Sequence, residues 1–345
     1  GARYWTGIIR YRVLVLGMQH EKGWHRFRFF LGTLRDLLLP AWIRRRERER
    51  LFERFRQLDP GTKEALEIRV AYYNQLSSPF DPGADAKSNR TFTRRGQPSA
   101  YYLDLKRLIR CFPPDVRFQH AFGDVTWVPD APAFVKSRPI APPGDNANSV
   151  LLKLDSARHY FMVRDRRAFR DKTPRAIWRG KGSQPHRREF LRRFHDSPVC
   201  DVGCVHPDSR GEPWHGDFVP PHEQLNYRYV VSIEGNDVAT NLKWIMASNS
   251  LCLMRRPRFE TWFMEGALQS GVHYVQLADD HSDLEEKVRY YNAHPDEAEA
   301  IIRNAQAHVA QFLDREQELL VSLLVMDRYF SLACAASESV EGAPR

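Results

Sequence analysis

The chain has 345 residues, 42% hydrophobic and 28% charged, enough to bury the cores of two ordinary domains. With 52 Lys and Arg against 43 Asp and Glu it carries a formal charge of +9, which favours an anionic partner: nucleic acid, an acidic membrane face or a phosphorylated substrate. Five cysteines, an odd number, do not make a disulfide scaffold, and no apolar run approaches the ~20 residues a membrane-spanning helix needs.

Residues 1–56 mix Trp5, Trp24, Phe27, Phe29, Phe30, Leu37 to Leu39 and Trp42 with many arginines. Two readings stay open: a basic amphipathic region lying at a membrane interface, or helices packed on the protein's own core, with the run Arg44 to Arg50 as a solvated face. The chain opens on Gly1, which leaves room for a targeting segment upstream. Helical spacing runs from Leu51 to Gln75, and Ser77 to Gly96 is a loop rich in Pro, Gly, Ser and Asp. That loop carries the sequon Asn89-Arg90-Thr91, meaningful only in a secretory context. A helix is expected over Asp104 to Cys111, a strand over Val125 to Val128, and a loop over Pro139 to Asn148.

After Pro174 strand and helix patterns alternate. Ala176 to Arg179 is extended, Arg187 to His195 helical and Val199 to Val205 extended. Tyr229 to Ile233 is a strand, Glu234 to Asp237 a turn, Ala239 to Ala247 a helix and Ser250 to Met254 a buried strand. His273 to Leu277 is a further strand; Ser282-Asp283-Leu284-Glu285 reads as a capping box, and Asp296 to Leu313 as a last amphipathic helix. Alternation of this kind predicts an α/β fold with a parallel sheet, the nucleotide-binding half of a doubly wound architecture. Cys200, Cys204 and His206 lie close together, but no second ligand pair follows at zinc-site spacing, so no metal site is expected.

Ligands of open α/β sheets sit where strands end and helices begin. Two such loops stand out. Trp178-Arg179-Gly180-Lys181-Gly182-Ser183 offers glycines and two cations, with Arg187 opening the next helix, and suits a diphosphate, though it has neither Walker nor GxGxxG spacing. In Glu234 to Lys243, Gly235 and Asn236 permit a sharp turn, Ala239 and Thr240 are small enough for a ligand to approach, and Lys243 lies in the early turns of the helix. Each also reads as an ordinary βα turn. For activating a hydroxyl, Asp130 stands at a strand end beside proline; Asp124 and Asp155 are comparable candidates.

In order and wording these segments resemble glycosyltransferase family 90, in particular its bacterial lipopolysaccharide A protein branch. The resemblance is carried by Tyr229-Val230-Val231-Ser232-Ile233-Glu234-Gly235-Asn236-Asp237-Val238-Ala239-Thr240-Asn241-Leu242-Lys243-Trp244, by Gly123-Asp124-Val125 through Lys136-Ser137-Arg138-Pro139-Ile140, by Trp178-Arg179-Gly180, and by His273-Tyr274-Val275 through Ser282 to Lys287. It covers roughly Ala100 to Asn304.

The resemblance implies a GT-B architecture, two Rossmann-like domains facing a central cleft, and inverting transfer from a UDP-sugar with no metal or other cofactor. Residues 1–75 would form the basic, aromatic helical extension, 76–172 the acceptor-side domain, 173–314 the donor domain, and 315–345 a helix and tail returning to the acceptor-side domain. The family's catalytic aspartate matches Asp130. Its donor-binding positions match Arg187, Lys181 and the segment Val238, Ala239, Thr240, Asn241 and Lys243, flanked by Arg179 and Gly235; Lys243 stands where animal relatives, the protein O-glucosyltransferases, carry arginine. Lys136, Ser137, Arg138 and Asp155 are expected to line the cleft. The acceptor implied is lipopolysaccharide core or another glycan, and the basic N-terminal region would hold the enzyme peripherally at the cytoplasmic face of the bacterial inner membrane. The rivals are transfer to a protein serine and a non-catalytic glycan-binding relative. No nucleic-acid-binding module is recognisable.

Overall fold

The computed structural model describes residues 25, 27–96 and 99–341. Trp5, Trp24 and the front of the basic N-terminal region lie outside the described residues. The chain divides into two compact units: the first holds Phe29–Ser156, Arg258–Gly266 and the chain from Phe312 onward, the second Ala157–Pro257, Ala267–Gln311 and the described residues up to Arg28. The boundary at 156 replaces the one expected at 172, and residues 29–75 belong to the first unit rather than forming a separate extension.

The first unit opens with helix α1 (residues 29–38 within this unit), α2 (Ala41–Arg56) and α3 (Pro60–Tyr73). The single helical run expected from Leu51 is broken because Asp59 caps α3, accepting from the Thr62 N–H at 2.9 Å, and Pro60 cannot continue a preceding helix. Then come β1 (Lys87–Ser88), α4 (Ser99–Ile109), β2 (Arg117–Ala121), β3 (Ala133–Val135), β4 (Ser137–Pro139) and β5 (Ser149–Leu151). Among the described residues the sheet order is β1-β2-β3-β5, with β2, β3 and β5 parallel. Val125 to Val128 forms no strand: the Val125 carbonyl accepts the Ser137 hydroxyl at 3.1 Å, and Trp127 projects outward.

In the second unit, after the short α5 (Ser156–His159), come β6 (Thr173–Gly180), α6 (Pro185–Phe194), β7 (Cys200–Cys204), α7 (Pro221–Gln224), β8 (Tyr227–Val231), α8 (Leu242–Met246) and β9 (Leu251–Met254). β10 (Phe259–Thr261) returns to the first unit, pairing antiparallel with β4; β11 (Val275–Gln276), α9 (Leu284–Ala293) and α10 (Pro295–Ala310) complete the second. Its sheet is parallel in the order β11-β9-β8-β6-β7. From β6 the chain adds β7 on one side and β8 on the other, so the carboxyl ends of β6 and β8 flank the topological switch point. Tyr229, Val230 and Val231 are all buried, as a parallel strand covered on both faces requires.

Two details differ from the sequence reading. α8 begins at Leu242, not Ala239: the Asn241 amide donates to the Val231 carbonyl at 3.1 Å and accepts from the Ser232 hydroxyl at 3.1 Å, holding the preceding residues against the strand. A one-turn helix has little macrodipole to offer a ligand. The capping box does not form either, because Glu285 accepts the Ser197 hydroxyl at 2.6 Å and Asp283 the Ala278 N–H at 2.8 Å.

α11 (Arg315–Glu341) packs in the first unit, where the Asn74 amide donates to the Val325 carbonyl at 3.0 Å and Tyr329 Oη to that of Pro132 at 2.8 Å. Buried Glu318 gathers Arg69 at 2.7 Å, Lys153 at 3.0 Å and the Trp262 indole N–H at 2.7 Å. Among the described residues no helix is long and apolar enough to cross a membrane.

Candidate functional site

The two loops singled out in the sequence are those that follow β6 and β8, on either side of the switch point. Arg187, in the first turn of α6, ties them together. Its Nη2 donates to the Ile233 carbonyl at 2.6 Å, Nε to that of Glu234 at 3.0 Å and Nη1 to that of Lys181 at 3.2 Å, and its guanidinium lies 5.8 Å from the Trp178 ring. These oxygens carry no formal charge, so the cation is held but not neutralised. Burial pulls Arg187 down to about 10, still protonated at neutral pH. A desolvated cation without a carboxylate bonded to it favours an anionic ligand.

Around it stand basic residues that sequence reasoning missed, of which Arg255 is the cation. His186 Nε2 lies 2.8 Å from the Glu234 carbonyl; Arg255, the residue after β9, is 3.8 Å from the Glu234 carboxylate; and His281 sits in the loop after β11. His281 is buried, and desolvation, then Arg255 and His186, drive it down to about 4. The carboxyl-end rule applied to every strand, not only β6 and β8, would have found Arg255 and His281.

The other predicted donor residues take varied places. Lys181 and Thr240 are exposed, Val238 and Ala239 buried, and Lys243 fully buried with Nζ 6.0 Å from the Tyr160 ring. The Asn241 side chain is spent on Val231 and Ser232, and Arg179 on Asp201, with Nη2 2.5 Å from the carboxylate and Nη1 2.9 Å from the Asp201 carbonyl. Gly180 is a glycine because the ring of Trp178 lies over it: a Cβ there would stand 2.6 Å from Cζ2. At Gly235 the same addition meets Arg187 Nη2 at 3.5 Å and Gln184 Nε2 at 3.9 Å, both ordinary contacts.

In the first unit the carboxyl ends of β2, β3 and β5 bring together Asp124, Lys136 and Asp155. Lys136 is buried and donates to Asp124 Oδ1 at 2.7 Å, leaving that carboxylate about a third exposed at 32%. Tyr101 lies beside Lys136, its ring 6.0 Å from Nζ, and is pushed up to about 12 mainly by burial. Asp155 is buried and takes a φ of 56°, a left-handed conformation uncommon outside glycine that tends to mark functional sites.

Two expectations for this unit are corrected. Lys136, Ser137 and Arg138 are buried and do not line an open surface; Arg138 is enclosed by Glu260 at 2.7 Å and the carbonyls of Ser149 and Tyr72 at 3.1 and 2.7 Å. No strand runs into Asp130, the nearest preceding one, β2, ending at Ala121. Asp130 is exposed, three residues before β3, where the Asn148 amide donates to its carbonyl at 3.0 Å, at the amino ends of the parallel strands and not at the carboxyl ends. Cys200 and Cys204 are buried on β7, and among the described residues no cluster of His, Cys, Asp and Glu is arranged to hold a metal ion.

Residues 154–341 match the family described as Glycosyl transferase family 90. O-glucosyltransferase LpsA of Dichelobacter nodosus is 52% identical over 313 residues, 90% of this chain and 97% of that protein. Protein O-glucosyltransferase 3 of Homo sapiens is 25% identical over 178 residues, 50% of this chain and 35% of the human protein, and Protein O-glucosyltransferase 2 of Danio rerio is 26% identical over 139 residues, 38% of this chain and 27% of that protein. Identity above half along nearly the whole of the bacterial relative, with the family match across the entire parallel sheet of the second unit, shows that the chain belongs to glycosyl transferase family 90.

Proposed function

We propose that this protein is an inverting, GT-B type glycosyltransferase that moves a hexose or pentose from a UDP-sugar, without metal, to a hydroxyl of a glycan acceptor. Lipopolysaccharide core is the acceptor this reading favours, and the protein would work peripherally at the cytoplasmic face of the inner membrane. The bacterial relative's name, O-glucosyltransferase LpsA, supports sugar transfer and a lipopolysaccharide role.

The observation that carries the reading is Arg187, a half-buried cation bonded only to carbonyls at the switch point, with His186, Arg255 and His281 around it. A diphosphate would supply the missing negative charge. In the reaction the acceptor oxygen bonds to the anomeric carbon as the bond from that carbon to the phosphate oxygen breaks. UDP departs with the electron pair, its growing charge met by Arg187 and Lys243. The acceptor proton passes to a carboxylate. Asp130 holds that role by its match to the family aspartate. Asp124 is a second reading, favoured by its place at the carboxyl ends of parallel strands and by the lysine that orients it.

Titration of the full chain with UDP-, GDP-, CMP- and ADP-sugars in chelator, following thermal stability and donor hydrolysis, tests the reading. Selective stabilisation by one UDP-sugar is the expected result. Indifference of a folded sample to every UDP-sugar would overturn it.

A further inference from the structure

Five of the large apolar side chains most exposed to solvent fall within residues 27–42, and four of them, Leu31 at 56%, Leu34 at 55%, Leu38 at 76% and Trp42 at 57%, lie in the first unit. At about 100° per residue the three leucines share an arc of about 60° on α1. The opposite side of the helix is anchored. Thr33 is buried with its hydroxyl donating to the Phe29 carbonyl at 2.8 Å, Asp36 pairs with Arg107 at 3.6 Å, and Arg110 caps the helix end through the carbonyls of Leu37 and Leu39. The helix is therefore fastened to α4 while its leucines face outward. Exposed Arg35 adjoins the stripe, and Arg46 sits 5.3 Å over the Trp42 ring; with Asp36 occupied by Arg107, the charge beside the leucines is positive.

Outward leucines, an aromatic ring suited to the headgroup level and flanking arginines fit one occupant. We infer that the face formed by Leu31, Leu34, Leu38 and Trp42, with Arg35 and Arg46, docks the protein on an anionic lipid surface. This rests on the peripheral location in the functional reading and names the surface responsible for it.

The test is cosedimentation of the full chain with vesicles of phosphatidylglycerol and phosphatidylcholine, and with phosphatidylcholine alone. Binding only to the anionic vesicles, weakened at least fivefold by Leu34→Glu with Leu38→Glu and at least threefold by Arg35→Gln with Arg46→Gln, is expected. A smaller loss in either variant overturns the inference, as does light scattering showing that the leucine face instead joins two copies of the chain. Donor hydrolysis by the variants should match the parent; a parent that binds vesicles but hydrolyses no donor would count against the enzymatic reading and leave the lipid surface standing.

Discussion

Arg187 reaches the last carbonyl before the Glu234 turn, donating to Ile233 at 2.6 Å, so a side chain of the helix after β6 fixes the loop after β8. Both sides of the switch point are therefore held by one guanidinium. Arg187→Met should lower stability by about 1–3 kcal/mol through the carbonyls it strands, and should weaken UDP binding by more than tenfold. Arg187→Lys keeps the charge without the fork, so it should recover part of the binding but little of the stability. Calorimetry with UDP and thermal melts of both variants check this; UDP affinity unchanged in Arg187→Met would remove it from the donor site.

The two glycines beside these loops should separate packing from binding. An alanine Cβ at position 180 would lie 2.6 Å from the Trp178 ring, and that ring also flanks Arg187. Gly180→Ala should cost about 1–3 kcal/mol of stability. Gly235→Ala meets ordinary contact at 3.5 Å, so its melting temperature should stay near the parent's while UDP affinity falls, if the Glu234 turn lies against phosphate. Loss of stability at 235 with unaltered UDP binding would contradict the assignment.

The acceptor-side carboxylate is open to a direct comparison. Asp130→Asn should abolish transfer with UDP binding intact if the family match identifies the base. Asp124→Asn should do so if position at the carboxyl ends decides, and Lys136→Met should then cut kcat by about tenfold or more by letting Asp124 drift. Transfer rates of the three variants at saturating donor distinguish the assignments, and full activity in both asparagine variants would exclude the two of them.

Much of the second unit was legible because parallel strands buried on both faces write themselves as apolar runs: β9 (Leu251–Met254) begins one residue from where the apolar pattern put it, and β8 (Tyr227–Val231) lies two residues ahead of the expected Tyr229 to Ile233. The loops after β6 and β8 were legible through their glycines and cations. What the sequence hid are contacts between distant residues. Nothing local to Asn241 says that its amide will bind the Val231 carbonyl and shorten α8, and nothing near Arg138 announces that Glu260 will return to meet it from 122 positions away. Asp130 was misplaced relative to the strands because Val125 to Val128 has strand composition while its backbone is captured by Ser137. His281 and Arg255 escaped because neither lies in a glycine-bearing turn.

Asp104 supplies a test of the first unit through pH. Its carboxyl is buried and accepts the Ser156 N–H at 2.8 Å, yet burial pushes it from an ordinary 3.8 up to about 7, with Asp155 adding to the rise. Because the folded value lies above the unfolded one, the stability that the protonated acid contributes is fully present below about pH 4 and is lost as pH climbs through 7. At ~1.4 kcal/mol per tenfold change the ionised form costs on the order of 4 kcal/mol at higher pH. Asp104→Asn keeps an acceptor for Ser156 and cannot ionise. It should match the parent near pH 4 and become progressively more stable than the parent from pH 5 to 8. Half-buried His120 and buried His281, both pulled down to about 4 chiefly by desolvation, act in the opposite sense, stabilising the fold as pH rises from 4 to 6.5, but they are common to both proteins and cancel in the difference. The measurement is therefore the difference in melting temperature between variant and parent against pH. A flat difference would mean that Asp104 ionises at an ordinary value, its burial compensated by Arg107 and the Ser156 N–H.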